Sequence, residues 1–194
     1  MGAFRAQGFD VISVDCDPKA QSTICRDILE FSIEELDGRT VDIVWASPPC
    51  TKYSKARKGT TSDELEESDE LVRKTLRLAR EIGCGFFIEN PWTGKLKARG
   101  LLDNLPLQKV DYCKYGMPYR KRTAIWTNTG WRPARALCSG DCGHMVGTKH
   151  EARAQQGGPG PSFSQRELYR IPAELCEEIA GFMKTEPRQS LNGA

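Results

Sequence analysis

Histidine is almost absent from this chain: two occur in 194 residues, at positions 144 and 150. A hydrolase built on a cysteine nucleophile and a histidine base would therefore lack a suitably placed base. No apolar run is long enough to cross a bilayer, and no secretory signal sequence is evident. These absences argue against membrane insertion and for an intracellular setting, cytoplasmic or nucleoid. The formal net charge is only +2, so charge alone points to no polyanionic partner. No internal repeat is evident. Cysteine, by contrast, is plentiful: eight residues, scattered along the chain rather than clustered in a small scaffold. A chain of this length buries its own core, so a reduced protein of one domain fits better than a disulfide framework.

Short β-rich segments alternate with amphipathic ones. Residues 11–15, 23–26, 42–46, 85–88, 110–113 and 123–127 read as strands. Between residues 64 and 81, Leu65, Leu71, Val72, Leu76 and Ala79 make a helical stripe, and residues 173–184 form a closing helix behind Pro172. This alternation predicts an open, mainly parallel α/β sheet, whose ligand crevice lies at the carboxyl ends of the strands. Asp15, Asp27, Cys50 and Glu89 all fall at such ends. Residues 128–163 break the pattern. They are rich in Gly, Pro and Cys, and read as a small irregular insertion, flexible over 155–161, between core segments 1–127 and 164–194.

Two strand ends carry the chemistry. The run Ile43-Val44-Trp45-Ala46 leads into Ser47-Pro48-Pro49-Cys50, and Phe86-Phe87-Ile88 leads into Glu89-Asn90-Pro91. Two prolines restrain the backbone ahead of the thiol. A carboxyl at a buried strand end can exchange a proton with a substrate. Taken singly, the cysteine reads as a buried structural residue and the glutamate as a helix cap. Occurring together, they read as a nucleophile and a proton donor. Lys52, Lys55, Arg57 and Lys58 follow the thiol, and Arg120, Lys121 and Arg122 form a second basic cluster, offset by an acidic stretch over 63–70. Beside a reactive thiol, such residues suit a polyanion.

Pro48-Pro49-Cys50-Thr51-Lys52-Tyr53-Ser54, Glu89-Asn90-Pro91 and Tyr115-Gly116-Met117-Pro118-Tyr119-Arg120-Lys121-Arg122 together resemble the DNA (cytosine-5) methyltransferases, of the class I type dependent on S-adenosyl-L-methionine. The resemblance implies a Rossmann-like sheet. It also implies attack of Cys50 on C6 of a flipped cytosine, and proton donation by Glu89 to the N3/N4 edge. Asn90 would orient the loop, and Arg120 and Arg122 would steady the base. The arginine match needs a shift of one residue; a gapless alignment puts Lys121 and Thr123 there, and Tyr119 replaces a glutamine. On the cofactor side, the resemblance assigns Asp15 to the ribose hydroxyls and Asp27 to the adenine amino group. Ile28 would lie against the ring, with Cys16 and Pro48 in the same site. Asp15 and Asp27 also read as Asx-turns or helix caps. The family's first strand and Gly-rich turn have no counterpart here beyond Gly2. The expectation is a gap in the sheet, poor cofactor binding by these residues alone, and a second chain as one source of the strand. A catalytically impaired protein that binds nucleic acid or a partner, and an RNA cytosine-C5 methyltransferase, remain the alternatives.

Cys138, Cys142, His144 and His150 are spaced to close a tetrahedral zinc site, with Cys113 from a preceding strand able to replace one histidine. An irregular loop with incidental Cys and His accounts for the same residues equally well.

Overall fold

Side-chain alternation along one strand decides the layering of the molecule. The computed structural model describes residues 2–55, 57–154, 161 and 163–185, so most of the segment expected to be flexible, 155–160, lies outside them. The elements, in chain order, are helix α1 (Gly2–Ala6), strands β1 (Val14–Asp15), β2 (Ile24–Cys25) and β3 (Ile43–Ala46), and helix α2 (Ser62–Ile82). They continue with β4 (Gly85–Pro91), β5 (Leu107–Asp111), β6 (Arg122–Thr127), the short pair β7 (Met145–Val146) and β8 (Lys149–His150), and helices α3 (Gln165–Leu168) and α4 (Ala173–Thr185). Strand β4 sends Phe86 and Ile88 to one face, where they pack with Ala124 and Trp126 of β6 against Val72, Leu76 and Ala79 of α2. Its other face presents Phe87, which packs with Val110, Ile125 and Trp131 against Phe4 of α1 and Leu175, Ile179 and Ala180 of α4. The result is a helix–sheet–helix sandwich. Each fully buried Phe, Ile or Leu contributes roughly 1.5–3 kcal/mol.

Helix α2 begins at Ser62, two residues ahead of the stripe read from the sequence. Thr61 Oγ1 accepts from Glu64 N–H while the Glu64 carboxylate accepts from Thr61 N–H, a reciprocal cap, and Gly83 ends the helix in the left-handed region at φ +74°.

The main sheet runs β3-β4-β6-β5. Only β3 and β4 are parallel; β6 is antiparallel to both β4 and β5. The expected mainly parallel sheet is therefore corrected to a mixed one. An apolar run has the same periodicity in either direction, and β5 and β6 are joined by a connection too short for a crossover helix. Strand β5 also ends earlier than expected: Cys113 lies in a 3-10 turn, Tyr112–Tyr115, closed by Gly116 at φ +85°. A Cβ on Gly116 would come within 2.8 Å of Glu174 Oε1, so that turn needs glycine.

β1 and β2 form a separate parallel pair. Among the described residues no strand lies against the edge of β3 away from β4. A cavity of about 1830 Å³ opens there, lined by residues 10–16 and by Ile43, Val44, Trp45 and Ala46.

Candidate active site

The loop that carries Cys50 is tied down on both sides. Tyr53 is fully buried; its N–H donates to Cys50 O at 3.1 Å, and its carbonyl accepts from Lys95 N–H at 2.9 Å. Its hydroxyl donates to Asp69 Oδ1 of α2 at 2.8 Å, and Asp69 is held from the other side by Arg99 Nε at 2.8 Å. Buried Asn90 at the end of β4 donates from Nδ2 to Pro48 O at 3.0 Å. Parallel pairing of β3 with β4 brings the two strand ends together, and Asn90 cross-links the loops that leave them.

Cys50 is half-buried and Glu89 is 5% exposed. Burial, then the negative charge of Glu89, push the Cys50 thiol above its ordinary range, and Lys121 opposes this. Tyr112 donates to Glu89 Oε1 at 3.1 Å, and Lys121 Nζ stands 3.8 Å from the same oxygen. Burial and Glu89 together keep the Tyr112 hydroxyl protonated well past its normal range. Lys121 also donates to Leu168 O at 3.0 Å and stands over the Tyr112 ring, so it is fixed rather than free in solvent.

The expected arginines are not brought to this pair. Arg120 is exposed ahead of β6, and Arg122 makes a two-pronged bond to Asp111, Nε–Oδ1 at 2.9 Å and Nη2–Oδ2 at 2.7 Å. Register explains the difference. Ile125 pairs with Glu89, so Lys121 and Thr123 share the Glu89 face, whereas Arg122 falls on the opposite face with Ala124 and Trp126. The gapless alignment matches this geometry. Sequence reading missed Tyr112, whose only signal was its place near the end of an apolar segment.

Asp15, Cys16, Asp27, Ile28 and Pro48 all line the cavity beside β3. Asp15 Oδ1 accepts from Asp17 N–H at 2.8 Å and Asp27 Oδ1 accepts from Leu29 N–H at 2.9 Å, the Asx-turn geometry. Both acids therefore shape their own turns and still face the cavity. Pro49 joins the lining and connects it to Cys50, the next residue.

The fourth cluster is rearranged. Cys113, Cys138, Cys142 and His150 offer ligand atoms within 4.8 Å of one another. His144 is not among them; its Nδ1 lies 3.4 Å from Glu151 Oε2 instead. Pairing of Met145 with His150 in the β7–β8 hairpin puts His150 at the far end of the turn, and the 3-10 turn lifts Cys113 into the vacated place.

Fold and site define an α/β protein with a cysteine and a glutamate at adjacent strand ends beside a large cavity. The family model for the C-5 cytosine-specific DNA methylases matches residues 14–92. A protein of Frog virus 3 (isolate Goorha), named "Probable DNA (cytosine-5)-methyltransferase", is 31% identical over 197 residues, covering 90% of each chain. The chain belongs to the C-5 cytosine-specific DNA methylase family. Among solved structures, a Spodoptera frugiperda DNMT2 mutant is similar at TM-score 0.44 and 17% identity, over 70% of this chain and 50% of that one. The S. pombe Dnmt2 methyltransferase is similar at TM-score 0.42 and 13% identity, over 67% and 47%.

Proposed function

We propose that this chain methylates C5 of cytosine in DNA, with S-adenosyl-L-methionine as donor, through a covalent bond between Cys50 and C6 of the base. The observation that carries the reading is the meeting of Cys50, Glu89 and Lys121 at the ends of β3 and β4, beside the cavity lined by the five cofactor-side residues. Membership of the family and the viral relative support the choice of reaction.

The cavity residues fit the cofactor chemically. Asp15 and Asp27 offer carboxylate acceptors to ribose hydroxyls and an adenine amino group, and Ile28 offers an apolar face to the ring. When bound, the cofactor supplies an electrophilic methyl group.

A cytosine inside a duplex must first leave the stack, because C6 and C5 are otherwise out of reach of side chains. In the resting site the Cys50 thiolate is disfavoured by burial and by the Glu89 carboxylate. Transfer of the thiol proton to Glu89 removes that repulsion and creates a proton donor for N3 in the same step. The Cys50 sulfur then forms the bond to C6, the C5–C6 π pair becomes nucleophilic at C5, and the Glu89 proton goes to N3. After C5 is methylated, its proton passes to water, the released electron pair re-forms the C5–C6 double bond and expels Cys50 as the thiolate, and N3 returns its proton to Glu89. Lys121 favours the thiolate, Tyr112 holds the Glu89 carboxylate, and Asn90 fixes the loop through Pro48.

The open edge of β3 favours a second reading: that cofactor affinity depends on a further strand seated there, supplied for instance by a second chain. Transfer of labelled methyl groups to cytosine-containing DNA and RNA tests substrate and activity together. DNA labelling at C5, lost by several orders of magnitude in Cys50→Ala, is expected. Labelling of RNA alone would overturn the substrate. Nucleic-acid binding with no transfer to either would support the impaired protein.

A further inference from the structure

Residues 128–163 have few means of holding a shape on their own. Among the described ones, only Trp131, Cys138 and Ala152 are buried; Trp131 packs into the main core against Phe87, and Ala152 bonds back to Pro118. What remains at the centre of the segment is Cys138, Cys142 and His150, gathered beside Cys113 from outside it.

We propose that Cys113, Cys138, Cys142 and His150 bind one zinc ion that staples this segment to the β5–β6 turn. The inference is independent of the methyltransferase reading. Four ligand atoms lie within 4.8 Å of one another. Sulfurs held about 2.3 Å from one ion in a tetrahedron stand about 3.8 Å apart, so closure needs movements of no more than ~1 Å. His150 turns Nε2 towards Cys138 Sγ, 3.5 Å away, and this is the nitrogen that would ligate. Three soft thiolates and one imidazole suit Zn²⁺ rather than a hard cation. Four protein ligands leave no open position, which makes the site structural rather than catalytic.

The surroundings are arranged for three thiolates. Gly140 N–H donates to Cys138 Sγ at 3.4 Å. Cys138 N–H donates to Asp111 Oδ2 at 3.0 Å, and Asp111 is fully buried under the fork of Arg122. A site of three thiolates, neutral histidine and Zn²⁺ carries one net negative charge. Arg122, bonded to the same Asp111 that accepts from Cys138 N–H, and Lys114, next to Cys113 and paired with Asp141 at 3.0 Å, supply two cations at the edge of the cluster. Such outer groups orient and balance a metal site. Arg122 thus gains a role in which it supports the staple from β6, away from Glu89. The segment matters to the site because Cys113 is the neighbour of Tyr112, whose hydroxyl holds Glu89.

Elemental analysis of the intact protein, purified without added metal, tests the proposal. One zinc per chain is expected, retained in His144→Ala and lost or reduced to a small fraction in Cys113→Ser and Cys142→Ser. Because a cysteine variant can fail to fold, a second measurement uses the unaltered protein. Titration with a mercurial reagent should release one zinc as three thiols react, and cobalt(II) in its place should give the tetrahedral spectrum of a three-sulfur site. Protein without stoichiometric metal that still folds overturns the proposal. Metal kept in Cys113→Ser but lost in His144→Ala would overturn the ligand set.

Discussion

At the scale of single residues, Cys50 is raised in pKa by burial and by Glu89, and lowered by Lys121. The signs give a direct prediction. The apparent pKa of Cys50, read as the pH dependence of alkylation of its own peptide by mass spectrometry, should fall in Glu89→Gln and rise in Lys121→Met. Unchanged profiles in both would remove the electrostatic coupling. Since the thiolate is the nucleophile, methyl transfer should also rise with pH towards the alkaline range until another group fails. Asn90→Ala deletes the buried bond to Pro48 O and should cost about 1–3 kcal/mol in urea unfolding, with a loss of activity larger than the stability change explains. The positions of Cys50, Glu89 and Asn90 were legible in the sequence because each follows an apolar run, half-buried ahead of Cys50 and buried ahead of Glu89, and the strand end fixes where such a residue sits. Lys121 against Arg122 was not legible, since adjacent residues on a strand face opposite ways and only the pairing of Ile125 with Glu89 sets the parity. The proposed choice of Cys113 over His144 as ligand also depends on a turn and a hairpin, which spacing alone does not encode.

At the scale of elements, the strongest local signals became the best-defined structures. α2 carries the stripe read over residues 64–81, and the structure adds its cap at Thr61 and its stop at Gly83. Thr61→Ala should lower stability by about 1 kcal/mol in chemical denaturation, because it removes the acceptor for Glu64 N–H. Asp69 is the more consequential residue of that helix, since it joins α2 to the Cys50 loop through Tyr53 and to Arg99. Tyr53→Phe should therefore cost about 1 kcal/mol and also raise the accessibility of Cys50 to alkylation. The direction of β6 escaped sequence reading, yet it determines the site. Running antiparallel to β4, it sets Ile125 opposite Glu89 and puts Lys121, just ahead of the strand, 3.8 Å from the Glu89 carboxylate.

At the scale of the whole molecule, helices cover both faces of the main sheet, and among the described residues no strand covers the edge of β3 beside the cavity lined by Asp15, Cys16, Asp27, Ile28 and Pro48. An α/β architecture was legible from alternating segments; the mixed sheet order was not, because order depends on contacts far apart in the chain. Among the described residues no helix is long and apolar enough to cross a membrane. With no strand against that edge among the described residues, the proposed cofactor site has less wall than a continuous sheet would give it. Calorimetric titration of the 194 residues with S-adenosyl-L-methionine should accordingly show binding weaker than micromolar, which corresponds to less than about 8 kcal/mol. Micromolar affinity would show that the open edge does not limit the site. The central claim is the covalent bond from Cys50 to cytosine, and DNA containing 5-fluorocytosine tests it most directly. Fluorine at C5 cannot leave as a proton does, so a methylated adduct stays bound. With cofactor at saturation, the account predicts a denaturant-resistant protein–DNA adduct that maps to Cys50 and is absent in Cys50→Ala. Failure to form it at any cofactor concentration, or an adduct of equal yield in Cys50→Ala, would contradict the account.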